Sequence, residues 1–348
     1  MKTSYSIIGA MAGSSMDGLD LAQVTFSLRK GFWDYEIEKC ETIPYSKVIF
    51  AELKKSPLLE ESEKKKIDSS FGKWIGEKIE GFVLDTPAVD LLAVHGHTSL
   101  HDPENGISEQ LGNGEVIASA CGIPTITEFR SRDVKLGGQG APLVPVGDFD
   151  LFKEFDACLN LGGIANVSMK FNKTAWDICP CNQVLNHFSE KLGLPYDHEG
   201  RIAEKSSLDK LFYSEVANLD FFKQSPPKSL PNNYVSSEVL EKINPKTGLH
   251  TYVAIVSDLI SQALNLFPKK SKLLITGGGA FNTYLVEEIS KRLIQWEVVI
   301  PDAKLISFKE SLVFAFLGLK RFRNEINVLA SVTGASKDTC SGVIHLPK

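Results

Sequence analysis

Residues 9–20 concentrate glycine, serine and aspartate: Gly9, Gly13 and Gly18 are interleaved with Ser14, Ser15, Asp17 and Asp20. Glycines let the backbone turn tightly and let an anion approach its N–H groups, and the two hydroxyls add donors. Asp17 and Asp20 could hold a hydrated cation or simply order the turn. This is the composition of a phosphate cradle, and equally that of a Gly-rich hairpin whose aspartates only cap the turn. A second pair, Gly162-Gly163, and a triplet, Gly277-Gly278-Gly279, each follow an apolar run of strand type. Two Gly loops and a separate Gly turn suit a nucleotide held in a cleft. Cys179-Pro180-Cys181 could be a redox or metal pair, although thiols one residue apart bridge poorly.

These residues need elements to hold them. An apolar run enters the first turn, and alternation from Val24 to Leu28 predicts a hairpin with one face buried. Tyr35 to Ile43 reads as a third strand. Ile67, Phe71, Trp74, Ile75, Ile79 and Phe82 recur at helical spacing within residues 60–84. A short strand at residues 90–94 ends at His95-Gly96-His97-Thr98, and a helix near residues 115–120 precedes a strand at 123–127. After the Gly/Pro-rich stretch 136–145 the order begins again, with strands at 157–161, 167–171, 174–178, 272–276 and 298–300. A last helix is expected to start near Glu310. Two β-β-β-α-β-α-β-α units, offset by about 150 residues, each open on a Gly-turn hairpin. The expected fold is α/β, with two similar domains at 1–147 and 148–348, a hinge in residues 137–150 and a cleft between the domains.

The chain has 348 residues, enough for two cores, with 43% hydrophobic and 23% charged residues. A net charge of −5 offers no global basic field for nucleic acid or an anionic membrane. No apolar run approaches the roughly 18 residues of a membrane span, and no signal peptide is evident. The six scattered cysteines fit a reducing cytoplasm better than a disulfide framework. No G-x-G-x-x-G stands between a first strand and a helix, which argues against a dinucleotide-binding dehydrogenase.

Seven stretches, in order, resemble the anhydro-N-acetylmuramic acid kinases of the sugar kinase and actin superfamily. Residues 11–20 are similar to M-S-G-T-S-x-D-G-x-D, and His95-Gly96-His97-Thr98 to H-G-Q-T. Residues 129–133 with 137–145 are similar to F-R-S-x-D and G-G-Q-G-A-P-L-V-P, the most specific piece. Residues 160–166, 276–282 and 331–335 also match, and Asp177-Ile178-Cys179-Pro180-Cys181-Asn182 stands where D-T-G-P-G-N is usual. Here Ser14 replaces Thr, His97 replaces Gln, and two glycines are lost to Cys179 and Cys181.

The resemblance implies two actin-like ATPase (ribonuclease H-like) domains facing a cleft. It implies a kinase that opens 1,6-anhydro-N-acetylmuramic acid with water and phosphorylates O6 with ATP, as in peptidoglycan recycling. Asp177 would be the general base, its bland alternative being a cap on the helix near Asn182. Gly13, Ser14, Ser15, Met16, Asp17, Gly18, Leu19 and Asp20 would cradle the phosphates, with Mg²⁺ held through waters. Gly162 and Gly163 would face them, and Gly277, Gly278 and Gly279 would take the adenosine. His97 and Thr98 would meet sugar hydroxyls, Arg130 and Arg132 a lactyl carboxylate, and Glu310 either the sugar or the positive end of its own helix. His95 reads as a partner of the sugar or as a core histidine. A kinase for another anhydrosugar such as levoglucosan, and a nucleotide-gated binding protein without chemistry, are the alternative readings. A small-molecule substrate, a cytoplasmic location and a possible homodimer complete the expectations.

Overall fold

Strand β1 (Ser4–Ala12) is almost wholly apolar and is buried on both faces, so it must sit in the middle of a covered sheet. It pairs antiparallel with β2 (Gly18–Arg29), which pairs antiparallel with β3 (Phe32–Pro44). On its other side β1 runs parallel to β4 (Leu91–Val94), and β4 parallel to β7 (Thr125–Thr127). Between them β5 (His97–Asp102) and β6 (Ile107–Leu111) form a separate ribbon. The second sheet repeats the plan. Strands β8 (Ala157–Leu161), β9 (Ile164–Met169) and β10 (Thr174–Pro180) are antiparallel neighbours. Strand β11 (Ser271–Thr276) runs parallel to β8, and β12 (Trp296–Val299) parallel to β11. A final strand, β13 (Val343–His345), joins the free edge of β7.

Both sheets therefore read 3-2-1-4-5 in their own strand numbering, with the same senses: β3-β2-β1-β4-β7 in one and β10-β9-β8-β11-β12 in the other. This is the ribonuclease H-like arrangement, occurring twice. The computed structural model describes residues 2–13, 16–84, 86, 88–226, 228–230, 234–235, 240–241, 243–265 and 270–348; Ser14 and Ser15 lie outside the described residues.

The division differs from a single cut at 147/148. One unit comprises Met1–Phe152 with Phe308–Lys348, and the other Lys153–Ser307. Residues 137–150, expected as a hinge, belong within the first unit, where helix Pro145–Leu151 is almost wholly buried. The reason is the apolar run Leu312–Leu319. It lies in helix Ala303–Phe322, and Leu312 to Leu317 are at most 2% exposed, so a sheet must cover it. Gly9 makes that packing possible, because a Cβ there would stand 1.8 Å from the Ser311 carbonyl oxygen. Its role is close helix approach in mid-strand, rather than the tight turn expected of it.

Helix Glu61–Phe82 buries Ile67, Phe71, Ile75, Ile79 and Phe82 of the predicted stripe beside β1 and β4, whereas Trp74 is only partly buried. In the second unit helix Pro245–Leu264 is buried along most of its length, with Tyr252 and Val256 wholly enclosed. Among the described residues no helix is long and apolar enough to cross a membrane.

Candidate functional site

In the first unit the carboxyl ends of the strands surround a cavity of about 450 Å³. Met11, Ala12 and Met16 line it from the first turn, and Leu53, Lys54 and Pro57 from the end of helix Lys47–Lys55 and just beyond. His95, His97 and Thr98 come from the end of β4 and the start of β5, Arg130 from the segment after β7, and Glu310 from helix Ala303–Phe322. Four of the five residues expected to touch sugar, His97, Thr98, Arg130 and Glu310, thus share one cavity. The fifth does not. Arg132 is exposed and its Nη1 donates to the Cys340 carbonyl oxygen at 2.9 Å, so it pins the C-terminal segment instead.

The Arg-Asp stretch explains how Arg130 is held. Its Nε donates to His95 Nε2 at 2.9 Å and its Nη1 to the Gly140 carbonyl oxygen at 2.9 Å. Buried Asp133 accepts from the Gly140 N–H and from Thr333 Oγ1, both at 2.8 Å. The residues of two separate motifs, 130–140 and 331–335, are one clamp around the Gly140 peptide. Burial pulls the Arg130 pKa down to about 10 despite Glu310 nearby.

Glu310 is seven residues into its helix, so its expected service to the helix N-terminus is excluded by position. It is open towards the cavity, yet protein packs round its carboxyl. Burial raises its pKa, Lys309 and Arg130 oppose the rise, and Asp20 and Asp148 add to it. His97 is 7% exposed; burial lowers its pKa against a hydrogen bond to the Leu53 backbone, so it is neutral near pH 7.

The phosphate turn is narrower than expected. Gly18 is a strand residue paired with Pro44 of β3, and Leu19 is paired on both sides with its side chain fully buried. A Cβ at Gly18 would meet the Ile43 carbonyl oxygen at 2.5 Å, so that glycine serves strand pairing. The accessible part is Gly13, Met16 and Asp17, with Met16 at φ 54° and its N–H bonded to the Gly13 carbonyl at 3.2 Å. Asp20 accepts from Thr42 Oγ1, and burial followed by the charge of Asp17 pushes its pKa up.

In the second unit a cavity of about 580 Å³ is lined by Asn182, Leu185, Asn186, Tyr196, Asp197, His198, Glu199, Gly278, Gly279, Phe281 and Asn282. Gly278 and Gly279 were expected there. Gly277 is not among the lining residues; at φ 83° it makes the turn, and a Cβ on it would clash with Asn160 and Leu161. Tyr196 and Phe281, 56% and 47% exposed, and His198 supply rings at this cavity. The Gly162 carbonyl accepts from the Asn182 N–H, and the Gly163 carbonyl from Cys181 and Gln183, so this turn caps helix Asn182–Glu190 with backbone oxygens.

Asp177 stands in β10 beside a register shift at Asp177/Cys179. Its Oδ2 accepts from the Leu230 N–H at 2.8 Å and from Ser229 Oγ at 3.4 Å, leaving Oδ1 outside those contacts. The helix-capping alternative is thereby excluded. Burial raises the Asp177 pKa against these two hydrogen bonds. Cys179 and Cys181 are both 0% exposed and turn into the core, which keeps the lost glycines from obstructing the surface near Asp177. Burial also lifts both thiol pKa values, that of Cys181 to about 12, and among the described residues no group of three ligands could hold a metal.

Residues 5–347 match the family model described as anhydro-N-acetylmuramic acid kinase. The chain belongs to the anhydro-N-acetylmuramic acid kinase family. The kinase of that name from Mannheimia succiniciproducens is 30% identical over 99% of both chains. That from Sulfurimonas denitrificans is 29% identical over 97% of this chain and 98% of its own. Among solved structures, the activator of 2-hydroxyisocaproyl-CoA dehydratase from Clostridium difficile, with bound ADPNP, aligns at a TM-score of 0.44 and 14% identity, covering 91% of this chain and 96% of that chain.

For this member of the kinase family, sequence reasoning missed Lys54, Tyr196 and His198. Lys54 follows no spacing rule, and the two rings sit at or just before the single 3-10 turn His198–Gly200, too short for periodicity to carry a signal. Phe281 was legible as part of the 276–282 stretch. The glycines of the second cavity also make a test. A Cβ at Gly278 meets only Asn182 Nδ2, at 3.7 Å, whereas one at Gly279 meets Leu161 Cβ at 2.7 Å. Gly278→Val is therefore expected to fold with an unchanged Tm and to weaken ATP binding by about tenfold or more, roughly 1.4 kcal/mol, by calorimetry. Gly279→Val is expected to lower Tm. Equal nucleotide affinity in Gly278→Val would separate this cavity from the nucleotide.

Proposed function

We propose that this protein converts 1,6-anhydro-N-acetylmuramic acid, water and ATP into N-acetylmuramate 6-phosphate and ADP, in the cytoplasm and in cell-wall recycling. The water oxygen bonds to C1, the C1–O6 bond breaks, and O6 attacks the γ-phosphorus as ADP departs. Asp177 accepts the water's proton at Oδ1 while Leu230 and Ser229 hold Oδ2, which fixes the carboxylate for general-base work. The cavity of the first unit takes the sugar. His97 and Thr98 meet hydroxyls, the remaining donors of Arg130 meet the lactyl carboxylate, Lys54 adds charge at the rim, and Glu310 accepts from the sugar.

The cavity of the second unit takes adenosine, with Gly278 and Gly279 allowing close approach and Tyr196 and Phe281 offering ring faces. The Gly13 N–H serves the phosphates, the Met16 N–H being held by the Gly13 carbonyl. The charge of Asp17 is near enough to raise the Asp20 pKa, and these are the two carboxylates that would hold a hydrated Mg²⁺. When bound, that ion would neutralise phosphate charge.

The convergence of His97, Thr98, Arg130 and Glu310 on one cavity is the observation that most supports this reading. A coupled assay of ADP release across a panel of anhydrosugars tests it. ADP and a 6-phosphosugar are expected with the lactyl-bearing anhydrosugar, and little with levoglucosan. ATP binding without phosphosugar from any member of the panel would overturn it.

A further inference from the structure

His95 is a buried titratable group that the reaction above leaves without a task. It is 5% exposed, and its ring packs against Phe314 with centroids 4.7 Å apart, one turn along the helix from Glu310. Its two nitrogens have partners of opposite kind. Nδ1 lies 2.8 Å from the Gly96 carbonyl oxygen, which can only accept, so Nδ1 carries the hydrogen. Nε2 lies 2.9 Å from Arg130 Nε, which can only donate, so Nε2 offers its lone pair. Only the neutral Nδ1–H tautomer satisfies both contacts. Burial and the charge of Arg130 both disfavour the imidazolium.

The consequence falls on Arg130. His95 and the Gly140 carbonyl take Nε and one hydrogen of Nη1. With Nε taken by His95, the side-on pair of Nε and Nη2 cannot grip a carboxylate with both donors, and Nη2 is the nitrogen outside these contacts. We infer that His95 is a positioning residue, which as a neutral acceptor fixes Arg130 so that its Nη2 meets the lactyl carboxylate of the sugar. This rests on the reading of Arg130 as the carboxylate partner.

The test compares parent protein with His95→Leu, His95→Asn, His95→Gln and Arg130→Met. Gln places an oxygen near the position of Nε2; Asn is too short and Leu has no acceptor. KM and kcat are measured for the lactyl-bearing anhydrosugar, and inhibition constants for the same anhydrosugar lacking the lactyl ether. ADP affinity and Tm monitor folding. His95→Leu and His95→Asn are expected to raise KM about 10- to 100-fold with kcat within about threefold, and to leave inhibition by the lactyl-free sugar unchanged. His95→Gln is expected to restore most of the affinity, and Arg130→Met to lose at least as much as His95→Leu.

If Arg130→Met erases the preference for the lactyl sugar but His95→Leu and His95→Asn keep it, His95 is merely a core residue and the inference fails. Equal weakening towards both sugars also overturns it. If Arg130→Met keeps the preference, the carboxylate reading of Arg130 fails first and the inference with it. Should His95→Leu not fold, the contrast between Asn and Gln decides.

Discussion

Replacing Asp177 by Asn is expected to lower turnover by about 10²- to 10⁴-fold, the usual worth of a positioned general base, while ATP still binds. The substitution is nearly isosteric, and an amide oxygen can still accept from the Leu230 N–H. Asp177 lies outside the lining of the cavity assigned to adenosine, so nucleotide affinity has no reason to change. The pH dependence of the parent protein follows from the same environment. Burial raises the Asp177 pKa, and the working form is the carboxylate. Turnover therefore falls as pH drops through that raised value, and the acid limb lies above the range of an exposed aspartate. Single-turnover phosphosugar formation against pH, with calorimetric ATP titration of both proteins, measures both effects. Turnover in Asp177→Asn within a few-fold of the parent would remove Asp177 from the mechanism.

The second large effect is on stability. Lys309 Nζ sits 2.7 Å from Asp148 Oδ1, with the two side chains 5% and 4% exposed. The pair joins helix Ala303–Phe322 to helix Pro145–Leu151, and Lys309 also stands over the Phe152 ring at 5.4 Å. Removing one member takes the ion-pair partner from a side chain that is almost fully enclosed, which costs about 3–5 kcal/mol. Lys309→Met is accordingly expected to lower Tm by roughly 6–20 °C, at about 2–4 °C per kcal/mol for units of this size. Lys309→Met with Asp148→Leu removes both charges of the pair, so the double variant is expected to be more stable than Lys309→Met alone. Thermal unfolding of the three proteins gives the comparison. A shift below about 2 °C in Lys309→Met would show that water reaches Asp148.

What was legible in the sequence was what repeats or alternates. The doubling of the fold was visible as a recurring order of elements along the chain, and the stripe from Ile67 to Phe82 as helical spacing, whereas the 3-2-1-4-5 order within each sheet came from the structure. Roles assigned from residue type alone fared differently, because packing decided them. Gly9 and Gly18 resemble turn glycines, yet each admits a neighbouring backbone that sequence does not reveal. Arg130 and Arg132 are indistinguishable by composition, and only the fold sends one to a cavity and the other to the Cys340 carbonyl. Glu310 borders an apolar run and so looks like a helix start. Residues 303–309 alternate too irregularly to betray two further turns.

The return of residues 308–348 to the first unit bears on the order in which the protein can mature. The second unit is one uninterrupted stretch, Lys153–Ser307, and possesses all its parts as soon as it leaves the ribosome. The first unit, although synthesised earlier, lacks the helix that covers Gly9 and the strand that edges β7 until residues 308–348 have been made. The amino-terminal half must therefore wait, half-dressed, for residues 308–348, and a nascent chain stopped short of them would bare an apolar sheet to the chaperones.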